Sequence, residues 1–188
     1  MDISRECGII EIDILGAKMK KVCFVINGVG GCGKDSLIHL LCDKFKVRNV
    51  SSITPINELA KMAGWDGVKT DKARKFLFEL KSLVTEFNDY PTKYILDEYN
   101  QFLTSDEQIM FIHIRESENI SRFVSLTGGK VKTLLITPRA ELTNKVYGNH
   151  ADDDVYKYDY DYTFANDRPL DEIAPLWINF IQQILDEQ

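Results

Sequence analysis

Two kinds of hydrophobic pattern alternate along the chain. Val22-Cys23-Phe24-Val25-Ile26 is an unbroken apolar run, the pattern of a strand buried on both faces. A glycine-rich stretch follows, then Leu37, Leu40, Leu41 and Phe45 at helical spacing. Val47 to Ile53 predicts a short second strand, ended by Thr54-Pro55. A long helical region comes next: Phe76, Leu77, Leu80, Leu83, Val84 and Phe87 recur at helical period over 73–87, and another helix covers about 92–102. Asp89-Tyr90-Pro91 separates the two. Ile109 to Ile114 is a further buried-strand candidate, followed by Arg115 and a helix over 117–125. Past the Gly128-Gly129 turn, residues 131–137 predict a strand ending at Pro138. Tyr158 to Phe164 alternates aromatic and polar residues as a half-exposed strand would, and the last helix spans about 170–185 with a bend expected at Pro175.

Strands that alternate with helices imply a parallel sheet with right-handed crossovers. The expected fold is therefore three-layer α/β, with about five parallel strands between helices and the working edge at the strands' C-terminal ends. At 188 residues, 44% of them hydrophobic, the chain can bury one substantial core and is not a disordered segment. Ile10-Glu11-Ile12-Asp13-Ile14 alternates with period two. Residues 1–18 thus read either as an added edge strand or as a peripheral extension, with a single domain over 19–188. No internal repeat, low-complexity tract or interdomain linker interrupts it.

The net charge of −6 argues against broad nucleic-acid binding, so any phosphate recognition must be concentrated in a few cations. Cys7, Cys23, Cys32 and Cys42 lack C-x-x-C spacing, and His39, His113 and His150 are scattered, so no zinc pattern emerges and reduced thiols are expected. Asp152-Asp153-Asp154 reads as a solvated turn, because three consecutive carboxylates do not converge easily on one ion. No apolar stretch reaches the length of a membrane span, and the expectation is a soluble, cytoplasmic protein.

Candidate chemistry lies between the first strand and the first helix. Gly28-Val29-Gly30-Gly31-Cys32-Gly33-Lys34-Asp35 fits the phosphate-loop pattern G-x-x-x-x-G-K, with Asp35 where Ser or Thr usually follows. The pattern alone arises by chance in roughly one chain in twenty of this length. A buried strand before it and a helix after it make it far more specific, since the loop amides and the helix dipole then face one anion site. Gly28, Gly30, Gly31, Cys32, Gly33, Lys34, Asp35 and Ser36 are the expected nucleotide contacts. Cys32 is the one thiol at the start of a helix, where a redox role is the lesser expectation and steric block by alkylation the simpler one.

Gly33-Lys34-Asp35-Ser36, the strand ending in Arg115, and Tyr158-Asp159-Tyr160 with Asn166-Asp167 before the last helix resemble the P-loop nucleoside and nucleotide kinase family, from about Lys20 onward. The loop is most similar to G-K-D members, such as phage-type deoxynucleoside monophosphate kinases and animal-type phosphomevalonate kinase. The resemblance implies ATP and Mg²⁺, a helical acceptor region at 56–105 and a lid at 138–157. It gives Lys34 the task of neutralising the transferred phosphoryl group, and Ser36 a contact to the α-phosphate. Asp35 is implied to hold Mg²⁺ directly or through water, or to orient the acceptor; the alternative is loss of transfer with nucleotide binding retained. Related kinases often carry Asp-x-Arg after the third strand, where this chain has His113-Ile114-Arg115. Glu116 either replaces the missing acid or serves only as a helix-start residue, and Arg115 is expected on phosphate. Arg139 and Lys145 are expected to close over the site from the lid. Lys69, Arg74 and Lys81 are the acceptor-side candidates, Arg74 foremost for its bidentate fork, against the reading of a solvated charged face. His113, inside an apolar run, reads as a satisfied core histidine.

The first functional expectation is an ATP-dependent phosphotransferase acting on a small molecule such as a nucleoside or deoxynucleoside monophosphate. The second is a nucleotide-binding switch or sensor with little turnover, and a third, disfavoured by the acidic balance, is a kinase acting on RNA ends. ATP is the default donor because no Asn/Thr-Lys-x-Asp element is present.

Overall fold

The structure is a computed structural model that describes residues 19–138 and 155–188. The N-terminal extension, the Asp152–Asp154 cluster and most of the expected lid lie outside the described residues. The uninterrupted apolar run forms β1 (Val22–Asn27), buried along its whole length at the centre of a five-stranded sheet. β2 (Val47–Ser51), β3 (Ile109–His113), β4 (Lys132–Pro138) and β5 (Tyr162–Asn166) complete it in the order β2-β3-β1-β4-β5. Every neighbouring pair is parallel, with Val22 opposite Ile109 and Asn27 opposite Leu135. All five C-terminal ends therefore meet at one edge. This is the three-layer parallel α/β fold expected from the alternation, with the glycine loop at the end of its central strand.

Alternate residues of the central strands feed opposite layers. Phe24, Ile26, Phe111, Leu134 and Ile136 pack with Leu37 and Leu41 from the region of α1 (Lys34–His39) and with Trp177 and Ile181 from the final helix. Phe24 and Phe111 stack with ring centroids 5.4 Å apart, and the Trp177 indole N–H donates to Leu37 O at 2.7 Å, so the buried polar end of this side chain is satisfied. On the other face Cys23, Val25, Met110 and Ile112 meet Ile95, Tyr99 and Phe102 of α4 (Tyr90–Thr104), and Ile120 and Phe123 of α5 (Ser117–Leu126).

Between β2 and α4 lie α2 (Thr54–Met62) and α3 (Asp71–Asn88). β2 stops at Ser51, two residues short of the Ile53 end expected from sequence, and Thr54-Pro55 opens α2, where proline in a first turn forfeits no intrahelical hydrogen bond. Thr70 caps α3, its Oγ1 accepting from Ala73 N at 3.2 Å, and Asp89 breaks α3 from α4 in a left-handed conformation at φ 56°. The first helix is shorter than its periodicity predicts: after His39 the chain tightens, with Leu41 N bonding Ile38 O and Lys44 N bonding Leu41 O, which still delivers Leu41 and Phe45 to the core.

The fifth strand begins at Tyr162, later than the aromatic alternation predicts. Val155–Lys157 is a 3₁₀ turn, and Asp161 takes the ladder's place, its Oδ2 accepting from Thr133 N at 2.7 Å and Thr133 Oγ1 at 2.9 Å. The last helix, α6 (Leu170–Asp186), runs on through Pro175. No helix among the described residues is long and apolar enough to cross a membrane.

Candidate active site

The sequence Asn27-Gly28 carries the chain off the end of β1 into the loop. Gly28 adopts φ 148°, and a Cβ there would lie 2.5 Å from Ile136 O and 2.7 Å from Cys32 Sγ, so no other residue fits without moving β4 or the loop. Gly33, at φ 88°, is closed off by Asn166 from the end of β5, whose amide donates to Cys32 O at 2.8 Å. Asn27, 1% exposed, is the loop's other brace. Its Nδ2 donates to Arg115 O at 3.0 Å and to Tyr160 Oη at 2.8 Å, while its Oδ1 accepts from Gly28 N at 2.8 Å. Tyr160 in turn donates to Val155 O at 2.9 Å, and burial pushes its hydroxyl up to about 12 against the opposing pull of the Asn27 bond. The ammonium of Lys34 is folded back over the loop, 2.6 Å from Gly28 O and 3.3 Å from both Val29 O and Cys32 Sγ.

The loop forms one wall of a cleft of about 690 Å³ at the C-terminal ends of β1, β2 and β3. Of the residues singled out from sequence, Gly30, Gly31, Cys32, Gly33, Lys34, Asp35, Ser36, Lys69 and Arg115 all line this cleft. Gly28 sits behind it, against β4. Arg74 is exposed on α3 and is not part of the lining. Lys81 is ion-paired with Glu116, joining α3 to the start of α5 outside the cleft. Arg139 and Lys145 lie outside the described residues.

His113 ends β3 at the cleft wall, with 18% of its side chain exposed. Its Nε2 is 2.8 Å from Asn49 Oδ1 at the β2 edge and 3.8 Å from Asp35 Oδ1, whose side chain is 90% exposed. Burial lowers the imidazole to about 4; the Asp35 carboxylate opposes that shift, while Lys34 and Arg115 add to it. His113 is thus satisfied, as a buried histidine should be, but it belongs to the cleft and is neutral near pH 7. Burial pushes the Glu116 carboxyl up, yet the Lys81 ammonium and hydrogen bonds, including one from Asn119 Nδ2 at 3.2 Å, pull it further down, so it sits below the ordinary carboxylate range. Its charge is directed at Lys81.

Sequence reasoning passed over Asn27 and Asn49. Asn27 was signalled only by its place before the loop's first glycine, and Asn49 by a polar side chain inside an otherwise plausible strand. Among the described residues no three His, Cys, Asp or Glu side chains converge on a single point.

No protein-family model matches this sequence, and no curated protein matches it. Solved structures do. A Chloroflexus aurantiacus protein bearing a provisional kinase designation superposes over 91% of this chain and 99% of its own, with a TM-score of 0.53 and 12% identity. The shikimate kinase of Bacteroides thetaiotaomicron superposes over 88% of this chain and 98% of its own, with a TM-score of 0.51 and 17% identity. At such identities the likeness is one of fold, and it agrees with the P-loop architecture described above.

Proposed function

We propose that the protein is an ATP-dependent phosphotransferase acting on a small molecule, of the nucleoside or deoxynucleoside monophosphate kinase type. The observation that carries this reading is a glycine loop braced from both sides, by Asn27 and Asn166, with its lysine and the strand-end Arg115 on one open cleft. The arrangement suits transfer by positioning and charge neutralisation, with no covalent intermediate on the protein.

In this reading the amides from Gly30 to Ser36 cradle the phosphates, and Lys34 leaves Gly28 O to meet the β and γ phosphates. That exchange replaces a neutral carbonyl partner with an anion, so it favours the bound state. Arg115 binds the phosphoryl oxygens, Lys69 faces the acceptor from the far side of the cleft, and Arg139 and Lys145 are assigned to the transferring phosphoryl group as the resemblance implies. Asp35 presents an exposed carboxylate on the cleft, an oxygen donor of the kind a divalent cation takes, and is the residue that would hold Mg²⁺. When bound, that ion neutralises charge on the phosphate oxygens. Arg74 and Lys81 are not assigned to the acceptor, since one lies away from the cleft and the other is engaged by Glu116.

The test is ADP release from ATP and Mg²⁺ with pooled nucleoside and deoxynucleoside monophosphates, comparing wild type with Lys34→Ala. Acceptor-stimulated release should fall by about two orders of magnitude or more in the variant; full turnover in Lys34→Ala refutes the site. A second reading, a nucleotide-binding switch with little turnover, draws on Asp35 standing where a hydroxyl is usual. It requires measurable ATP binding and nucleotide-dependent protease protection with release at background.

A further inference from the structure

At the ends of β2 and β3 and the start of α1, three side chains bring one nitrogen and two oxygens to the same wall of the cleft. His113 Nε2 stands 2.8 Å from Asn49 Oδ1 and 3.8 Å from Asp35 Oδ1, and all three residues line the cleft. Ligand atoms held about 2.1 Å from one ion at right angles to each other are about 3 Å apart. The Asn49–His113 spacing already matches that edge. The remaining gap is to Asp35, whose side chain is 90% exposed, so rotation of a solvated carboxylate is enough to close it.

We propose that Asp35, His113 and Asn49 together form a divalent-cation site, completed by nucleotide phosphates and water, that takes a first-row transition ion such as Mn²⁺ or Co²⁺ in preference to Mg²⁺. The composition of the donor set decides the preference. Mg²⁺ favours oxygen ligands in near-ideal octahedral geometry and gives up water reluctantly, whereas Mn²⁺ and Co²⁺ accept imidazole and oxygen in the same sphere. Binding needs the imidazole in the tautomer with its proton on Nδ1, which frees the Nε2 lone pair for the ion. Asn49 Oδ1 then turns from a proton on His113 to the cation, and no acceptor is left facing another acceptor without the ion between them. The departure at residue 35 and the departure at residue 113 thereby become one feature: the carboxylate sits on the loop and the strand end supplies nitrogen. The proposal rests on the nucleotide reading only for the ligands that the protein does not provide.

The experiment uses the full chain, first alone and then with a non-hydrolysable ATP analogue, titrated with Mn²⁺ and read by pulsed EPR for coupling to an imidazole nitrogen. Coupling in wild type that vanishes in His113→Ala supports the site; Mn²⁺ bound without nitrogen coupling overturns it. A second variant, His113→Asp, restores an all-oxygen set and guards against a misfolded alanine variant. In competition titrations the preference for Mn²⁺ over Mg²⁺ should fall about tenfold in His113→Asp, and an unchanged ratio overturns the proposal. If the analogue binds but no Mn²⁺ binds in either sample, the metal site is wrong and the nucleotide reading stands. If Mn²⁺ shows the coupling without analogue and the analogue never binds, the converse holds.

Discussion

The sheet platform and the α2–α3 arm are built to different standards. The platform carries large side chains with no exposure at all, Phe24, Phe111, Phe123 and Trp177 among them, packed on both faces of β1 and β3. The arm buries Ile56, Ala60 and Leu77 with partial cover from Trp65, Leu80 and Val84, while Phe78, Leu83 and Phe87 on α3 remain 64–85% exposed. Its links to α5 include the Lys81–Glu116 ion pair and an Arg122–Asp89 contact of 2.6 Å at the α3–α4 junction. A region with few buried apolar contacts opens at lower free energy than the core it leans on. The comparison teaches a division of labour: the glycine loop is fixed to the part that does not yield, while the arm, which reaches the cleft at Thr54 and Lys69, is the part that opens first.

Each region contains one of the chain's two tryptophans, Trp177 in the platform and Trp65 in the arm, so the difference can be read optically. The largest expected effect is on the platform: Trp177→Ala should cost about 3–5 kcal/mol in urea unfolding, from lost burial and the orphaned Leu37 carbonyl contact. Smaller is Leu77→Ala, expected to cost about 2 kcal/mol and to separate the two signals, the arm loosening before the platform. That variant needs a reporter for each region, so Trp65 and Trp177 emission would be followed in single-tryptophan backgrounds; coincident transitions would mean that arm and platform form one cooperative unit.

Smallest is the pin. Glu116→Gln should cost under about 1 kcal/mol, because the pair is partly exposed, yet hasten amide exchange along α3. Its pH dependence has a definite sign. The folded Glu116 carboxyl lies below its ordinary value, so its contribution is complete above the unfolded value of 4.5 and is lost as pH falls through the folded one. Acid should therefore shift Trp65 emission in wild type by a step absent from Glu116→Gln.

The same contrast explains what the sequence disclosed. β1 and β3 were legible because strands buried on both faces read as unbroken apolar runs, and the loop was legible because its glycines are dictated by backbone geometry. Strand ends were less so. The start of β5 depends on Asp161 reaching Thr133, and the β2 edge on Arg48 pairing with Glu98 and Glu107, contacts between residues far apart in the chain. Lys69, Arg74 and Lys81 have similar local surroundings in sequence, but only tertiary packing turns Lys69 to the cleft, leaves Arg74 on the surface and gives Lys81 to Glu116. His113 was hidden inside the apolar run from Ile109 to Ile114, where nothing local shows that the strand ends on it.

Asn27-Gly28 is also the only Asn-Gly pair in the chain, the dipeptide in which a backbone amide most readily attacks the side-chain carbonyl and releases ammonia. In the fold this amide is hydrogen-bonded to Asn27 Oδ1 and the side chain is 1% exposed, so the native state shields its own weakest covalent point. An unfolded chain loses that shield. Each excursion exposes the loop to an irreversible change that replaces two hydrogen-bond donations, to Arg115 O and Tyr160 Oη, with a negative charge beside the glycine loop. Chemical ageing, followed as deamidation of the peptide spanning residue 27, should consequently track the opening of the platform and be indifferent to the arm.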